Sequence, residues 1–333
     1  MHRPTTVIGT VGCLYEVAKG LGMRSVVALD GLRRWRHGRL PGIHRIVDGD
    51  VSARSKPILC IFAHFDRDDL IDDYVVHYVK QLFDSGCEII FVSTAEGLSE
   101  AQCERVKPFT RQIVVRENVG HDFGSWKTAI CQELAGSESA FSGFDGLIIA
   151  NDSVYGPIRP LPPIVAKMSA RGCDFCGITD SWRYFHHVQS YFVLFDKRVA
   201  CSKTFRQFWI NMPYYHSKHA VIWKGEIGLS RTLVQAGFKF DVLCGYEDLR
   251  ARHARTFWET ERRSALGRPV NATHYFWELL VTEQKCPFLK VQLLRDNPKD
   301  VPNMARWKEL LDDGQNGLKG MIESHLTRVS RGE

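Results

Sequence analysis

Asp152 follows a run of four apolar residues, Leu147-Ile148-Ile149-Ala150, with only Asn151 between, and Ser153 comes after it. A strand that stops at a short polar triplet places those side chains at the rim of a sheet. A carboxylate there can hold a divalent cation and so neutralise a pyrophosphate. The same triplet also makes ordinary turns. A second segment, Arg116-Glu117-Asn118-Val119-Gly120-His121-Asp122-Phe123-Gly124, combines two kinds of residue. Its glycines let backbone approach a ligand, and Arg116 and Asp122 can clamp opposite ends of a polar sugar nucleotide. Asp122 can equally be the N-cap of the helix that follows. Glu226 opens a predicted helix that Gly237 closes, where it can complement the helix dipole or present a general base. His186 and His187 precede an apolar stretch and have no third ligand at suitable spacing. They read as structural or substrate-contacting residues, not a metal site.

The elements that must position these residues follow from periodicity. Residues 57–62, 87–93, 112–116, 147–150 and 188–195 are apolar runs of strand length. Leu70, Ile71, Tyr74, Val75, Tyr78, Val79, Leu82 and Phe83 recur at three- and four-residue spacing, which predicts a helix ending at Gly86. Further helices are predicted over 99–106, from about Phe123 to Leu134, and from 225 to 237, with another strand after Gly237. Strands apolar on both faces, alternating with helices, predict an α/β fold with a central, mostly parallel sheet covered by helices. Ligands in such sheets sit at the carboxyl ends of strands. Ala63-His64-Phe65-Asp66, Ser93-Thr94, Arg116-Glu117-Asn118 and Asn151-Asp152-Ser153 all fall there. No strand end carries GxGxxG or a Walker loop, which argues against dinucleotide oxidoreductases and P-loop NTPases. The first strand end also lacks the Gly-rich, Lys/Arg-bearing loop of a nucleotidyltransferase.

The 44 Lys and Arg against 38 acidic residues leave a net charge of +6 over 333 residues. That excess suits a polyanionic ligand or an acidic membrane surface and falls short of a nucleic-acid footprint. No stretch approaches the ~18 apolar residues of a membrane span. The glycine-broken start lacks a signal-peptide pattern, so a cytoplasmic protein with reduced cysteines is expected. Cys173-Asp174-Phe175-Cys176 is a lone CxxC, expected to be structural. Arg33, Arg34, Arg36, His37 and Arg39 surround Trp35. They form either a solvated face or a peripheral contact with anionic lipid of the inner membrane. The expected division is an N-terminal extension over 1–55, a main domain over 56–300 and a C-terminal helical tail over 301–333.

Taken in order, several stretches resemble the rhamnan synthesis protein F family of glycosyltransferases. They are Phe62-Ala63-His64-Phe65-Asp66, Arg116 through Gly124, Ala150-Asn151-Asp152-Ser153-Val154-Tyr155-Gly156-Pro157, Gln189-Ser190-Tyr191-Phe192, Gly225-Glu226-Ile227-Gly228-Leu229-Ser230 and Asn271-Ala272-Thr273-His274-Tyr275-Phe276-Trp277. The resemblance covers about residues 57–300 and implies a GT-A-like fold, with a nucleotide-binding half sheet merged with an acceptor-binding half. It also implies roles. Ala63, Phe65 and Thr94 would line the base and ribose, with His64 beside them, and Arg116, Asn118 and Asp122 would hold the donor. Asn151-Asp152-Ser153 takes the place of the Asp-any-Asp metal motif but departs from it at both outer positions. Asp152 and the late His274 would meet a divalent cation, Mg2+ or Mn2+. His187, Gln189, Ser190 and Tyr191 would face the acceptor, and Glu226 matches the acidic position that supplies the base in inverting enzymes of this fold.

The implied reaction moves a sugar, rhamnose, from a nucleotide-diphosphate donor of the dTDP-L-rhamnose or GDP-D-rhamnose type. Its acceptor would be an oligosaccharide or lipid-linked glycan of a polysaccharide or O-antigen. The rival expectation is a non-catalytic, acceptor-binding subunit of a polysaccharide assembly complex. Arg250, Arg252, Arg255, Arg262 and Arg263 read either as a mobile lid or as a solvated face.

Overall fold

Apolar runs become strands here because both of their faces can be buried. The computed structural model describes residues 41–137, 139–263, 269–311 and 317–330. Its strands are β1 (Ile43–Asp48), β2 (Ile58–His64), β3 (Cys87–Ser93), β4 (Gln112–Arg116), β5 (Gly146–Asn151), β6 (Val154–Tyr155), β7 (Phe175–Ser181), β8 (His187–Val188), β9 (Phe192–Asp196), β10 (Phe240–Cys244) and β11 (Leu289–Lys290). The helices of nine residues or more are α1 (Asp73–Asp84), α2 (His121–Gly136), α3 (Leu161–Ser169), α4 (Lys203–Asn211), α5 (Ile227–Gln235), α6 (Ala254–Arg263) and α7 (Leu318–Ser330).

The main sheet has the order β1-β4-β3-β2-β5-β9-β7-β10, with β8 beside β7, and β11 pairs with β6 in a separate ribbon. β4, β3, β2 and β5 are mutually parallel, as are β7 and β10. β1 and β9 run against their neighbours. The fold is therefore mixed α/β, with a large, mostly parallel sheet flanked by helices. His64, Ser93, Arg116 and Asn151 end the four parallel strands and so share one rim. β9 starts at that rim, because its first residue, Phe192, pairs with Ala150.

β2 is buried at all seven positions. Ile58, Cys60 and Phe62 join a cluster with Tyr74, Val75 and Tyr78 of α1. Leu59, Ile61 and Ala63 join another with Trp126, Ala129 and Ile130 of α2 and with Phe205 and Trp209 of α4. Each large apolar side chain buried this way contributes ~1.5–3 kcal/mol. Trp307, Leu318 and Ile322 belong to the first cluster.

Three local features differ from the sequence reading. Residues 188–195 are not one strand: β8 and β9 are separated by Gln189-Ser190-Tyr191. The interruption has a cause, since the Ser190 N–H donates to Glu226 Oε2 at 2.8 Å instead of to a strand. Next, α2 starts at His121, after Gly120 with φ 88°, so Asp122 lies in the first turn and not at the cap. Glycine is also required at 124, where a Cβ would stand 2.4 Å from the Val119 carbonyl oxygen. Finally, the chain from Val221 to Glu226 forms a π-helix, and α5 follows it directly. Cys173 and Cys176 are free thiols. Among the described residues no helix is long and apolar enough to cross a membrane. The basic cluster at 33–39 lies outside the described residues.

Candidate functional site

Parallel strands deliver their carboxyl ends to one rim, and a hydrogen-bond chain ties those ends together. The Asp152 N–H donates to the Ala63 carbonyl at 3.3 Å, and Asp152 Oδ2 accepts from the Phe65 N–H at 2.8 Å. This reciprocal pair locks the end of β5 to the end of β2. Asn151 Nδ2 donates to Asp122 Oδ2 at 2.7 Å, which brings the first turn of α2 to the same place. Ser153 Oγ donates to Asn151 Oδ1 at 2.7 Å. Burial, then the nearby charges of Asp122 and Asp66, push the Asp152 carboxyl well above the usual carboxylate range. Burial also raises Asp122, against the pull of His121 and Lys290.

His64, Phe65 and Thr94, expected to line the base and ribose, lie together at the ends of β2 and β3. His64 Nδ1 lies 2.9 Å from Ser93 Oγ, and burial lowers its pKa to about 4. The Thr94 N–H donates to the His64 carbonyl at 3.0 Å. The Phe65 ring is 49% exposed although its backbone is anchored, so it is free to stack. Exposed Asn118 donates its N–H to Glu96 Oε1 at 2.8 Å.

Arg116 is 1% exposed and its guanidinium faces inward. It donates to the carbonyls of Glu117 (2.9 Å), Val119 (2.8 Å) and His121 (3.1 Å), and to Ser125 Oγ. Its fork thus holds the glycine loop in shape instead of reaching out toward a ligand. Burial brings its pKa to about 10.

The other half of the rim comes from the Gln189-Ser190-Tyr191 break. Asn151 N–H donates to the Tyr191 carbonyl at 3.3 Å, so the break adjoins the triplet. Glu226 Oε2 accepts from Ser190 N–H (2.8 Å) and Ser190 Oγ (2.6 Å). His187 Nε2 lies 3.4 Å from Glu226 Oε1. Burial opposes ionisation of Glu226, but His187 and the two Ser190 donors outweigh it and hold the pKa at about 2. Burial likewise opposes a charge on His187, and Glu226 overcomes it, raising the imidazole above its ordinary value. His187 Nδ1 lies 2.6 Å from the Phe185 carbonyl. Gln189 is fastened to Thr179 Oγ1 (2.8 Å) and Asn271 Oδ1 (3.4 Å).

His274 sits in the short turn Ala272–Tyr275 that Asn271 caps. Burial, then the charges of Lys290, Lys299, Arg183 and Lys218, lower its pKa to about 4. His274 therefore lies among cations while Asp152 lies beside carboxylates. That division does not suit one divalent cation shared by the two. Among the described residues, the side chains close enough together to hold a metal are Asp66, Asp72 and His325. Arg328 of α7 already bridges Asp66 (2.5 Å) and Asp72 (2.6 Å). Arg250, Arg252 and Arg255 pair with Glu247, Glu283 and Glu259, the arrangement of a solvated face. The Arg263 side chain lies outside the described residues.

Lys290 was not legible as a site residue. It ends β11, opposite Val154, and so lands beside the triplet. Its Nζ donates to Ser153 Oγ at 3.3 Å and lies 4.1 Å from the Tyr191 ring centroid. Burial lowers its pKa to about 8, against the pull of Glu226 and Asp122. Its one sequence signal is a lone cation after Cys286-Pro287-Phe288-Leu289.

Known proteins align with this chain as follows. It is 27% identical over 264 residues to the uncharacterized protein y4gN of Sinorhizobium fredii, covering 76% of this chain and 66% of that protein. The chain thus spans about two thirds of that relative's length. It is 26% identical over 292 residues to the virulence protein VirA of Vibrio anguillarum, covering 82% and 91%. The glycosyltransferase GlyE of Streptococcus pneumoniae superposes with a TM-score of 0.40 and 11% identity, covering 82% of this chain and 64% of that one. A superposition that distant transfers no site. The model of rhamnan synthesis protein F matches residues 89–330, most of the sequence, and the chain belongs to that family.

Proposed function

We propose that this protein is a glycosyltransferase that moves rhamnose from a nucleotide-diphosphate donor to a glycan acceptor during polysaccharide or O-antigen synthesis. The observation that carries this reading is the shared rim. Lys290 touches Ser153 and lies within electrostatic reach of both Asp122 and Glu226. Four segments far apart in sequence thus meet at one rim of the mostly parallel sheet, which supports the GT-A-like reading. Ala63, His64, Phe65 and Thr94 form the nucleotide side. Asn118, Asp122 and the triplet hold the ribose and sugar, with Arg116 shaping their loop. His187, Gln189, Ser190 and Tyr191 border the acceptor side. The rhamnose assignment is supported by the family's name.

In the proposed reaction Glu226 takes the acceptor hydroxyl proton as that oxygen attacks the anomeric carbon. Its carboxylate is ionised at neutral pH, and His187 and Ser190 fix its direction. A pKa near 2 is low for a base, since general bases work best near the operating pH. In this reading, weakening of the His187 contact on acceptor binding would raise the basicity of Glu226. Thermal melting with a panel of nucleotide sugars tests the reading, because a true donor stabilises the fold by ~2.7 kcal/mol at 100 times its Kd. A panel that leaves the melting temperature unmoved contradicts it. A donor that stabilises the protein while no product forms with any glycan acceptor favours the non-catalytic subunit.

A further inference from the structure

Four cations act on the buried His274 ring, and one of them, Lys290, also reaches the triplet. Lys290 is tied to Ser153 and lies over Tyr191. Lys218, Lys299 and Arg183 act with it on the buried His274 ring. Among the described residues, none of the four lies within ion-pair distance of an acidic side chain. Arg250, Arg252, Arg255 and Arg328 all do. Like charges gathered around a neutral imidazole repel one another, and a polyvalent anion relieves that repulsion. The position of Lys290 is specific: it stands at Ser153, the last residue of the triplet, and supplies positive charge to Asp122.

We propose that Lys290, assisted by Lys218, Lys299 and Arg183, binds the diphosphate of the donor and takes up its charge as the sugar leaves, in place of a divalent cation at Asp152 and His274. The inference rests on the sugar-transfer reading. In the step, the bond between the anomeric carbon and the diphosphate oxygen breaks and its electron pair stays on that oxygen. The acceptor oxygen forms the new bond, and its proton passes to Glu226. The anionic product is left beside the Lys290 ammonium, a charge-assisted contact of the strong kind.

The test is calorimetric titration of the full chain with dTDP, GDP and UDP, in EDTA and in Mn2+. Binding of at least one nucleoside diphosphate in EDTA, with affinity within ~2-fold of that in Mn2+, is expected. Lys290→Met should weaken it by ~10-fold or more, and Lys290→Arg should restore it to within ~3-fold. Lys218→Ala, at an exposed position where folding is not at stake, should cost ~2–5-fold. Binding that requires Mn2+, or that survives in both Lys290→Met and Lys218→Ala, overturns the inference and leaves the transferase reading standing. No binding of any nucleoside diphosphate, with or without metal, overturns both.

Discussion

Glu226 Oε2 accepts two hydrogen bonds from Ser190, one from its backbone N–H at 2.8 Å and one from its hydroxyl at 2.6 Å. The residues are 36 apart in sequence, and the contact explains two features at once. It interrupts the strand expected over 188–195, and it aims the carboxylate at the end of a π-helix toward the sheet rim. π-Helical turns are often found at functional sites.

Replacing Glu226 by Gln keeps the shape and removes the proton acceptor. Turnover should fall by ~10²-fold or more while donor affinity changes little. Steady-state kinetics beside donor titration check this. Near-normal turnover in the variant removes Glu226 as the base.

Phe65 separates binding from folding, because its ring is half exposed while its backbone is anchored to Asp152. Phe65→Ala should weaken nucleotide binding by ~0.5–1.5 kcal/mol, the worth of an aromatic stack. The denaturation midpoint should barely move. A large loss of stability with unchanged nucleotide affinity contradicts the assignment.

Arg116 shows the opposite profile. Lysine cannot reproduce a planar fork that serves three carbonyls and a hydroxyl. Arg116→Lys should leave buried acceptors unpaired and destabilise the fold by roughly 2 kcal/mol or more, measured by urea denaturation. An unchanged midpoint with weakened donor binding would place the guanidinium on the donor itself.

Stability should fall on acidification through buried histidines. His64 and His274 have folded pKa values of about 4 against an ordinary value of 6.5. The unfolded chain therefore binds more protons between those limits, and stability rises with pH across that window. Their contribution is full above pH 6.5 and is lost as pH drops toward 4, at up to about 3 kcal/mol each from 1.36 kcal/mol per unit. Glu226, at about 2 against 4.5, adds a second loss below pH 4.5. Melting curves from pH 7 to 4 check this. His64→Asn and His274→Asn variants should flatten the upper part of the dependence.

The strands of the parallel block were legible because each is an apolar run buried on both faces, and β3 and β4 match the predicted bounds. The positions of Asp152, Asp122 and Glu226 near the rim were legible because a polar group directly after such a run, or at a helix start, has few other places to go. The insertion of β9 between β5 and β7 was not legible, since pairing partners depend on contacts distant in sequence. The same holds for Lys290, which reaches Ser153 only because a two-residue strand pairs with β6. Arg116 carried the right residue type for an anion clamp, and only the inward direction of its guanidinium shows that the loop uses it.

The most direct measurement is product analysis after the full chain is incubated with individual nucleotide sugars and a synthetic rhamnoside or lipid-linked acceptor. One added rhamnose from a single nucleotide donor, abolished by Glu226→Gln and strongly reduced by Lys290→Met, is the expected result. Unchanged acceptor with every donor, or equal transfer by wild type and both variants, contradicts a transfer site built from these residues.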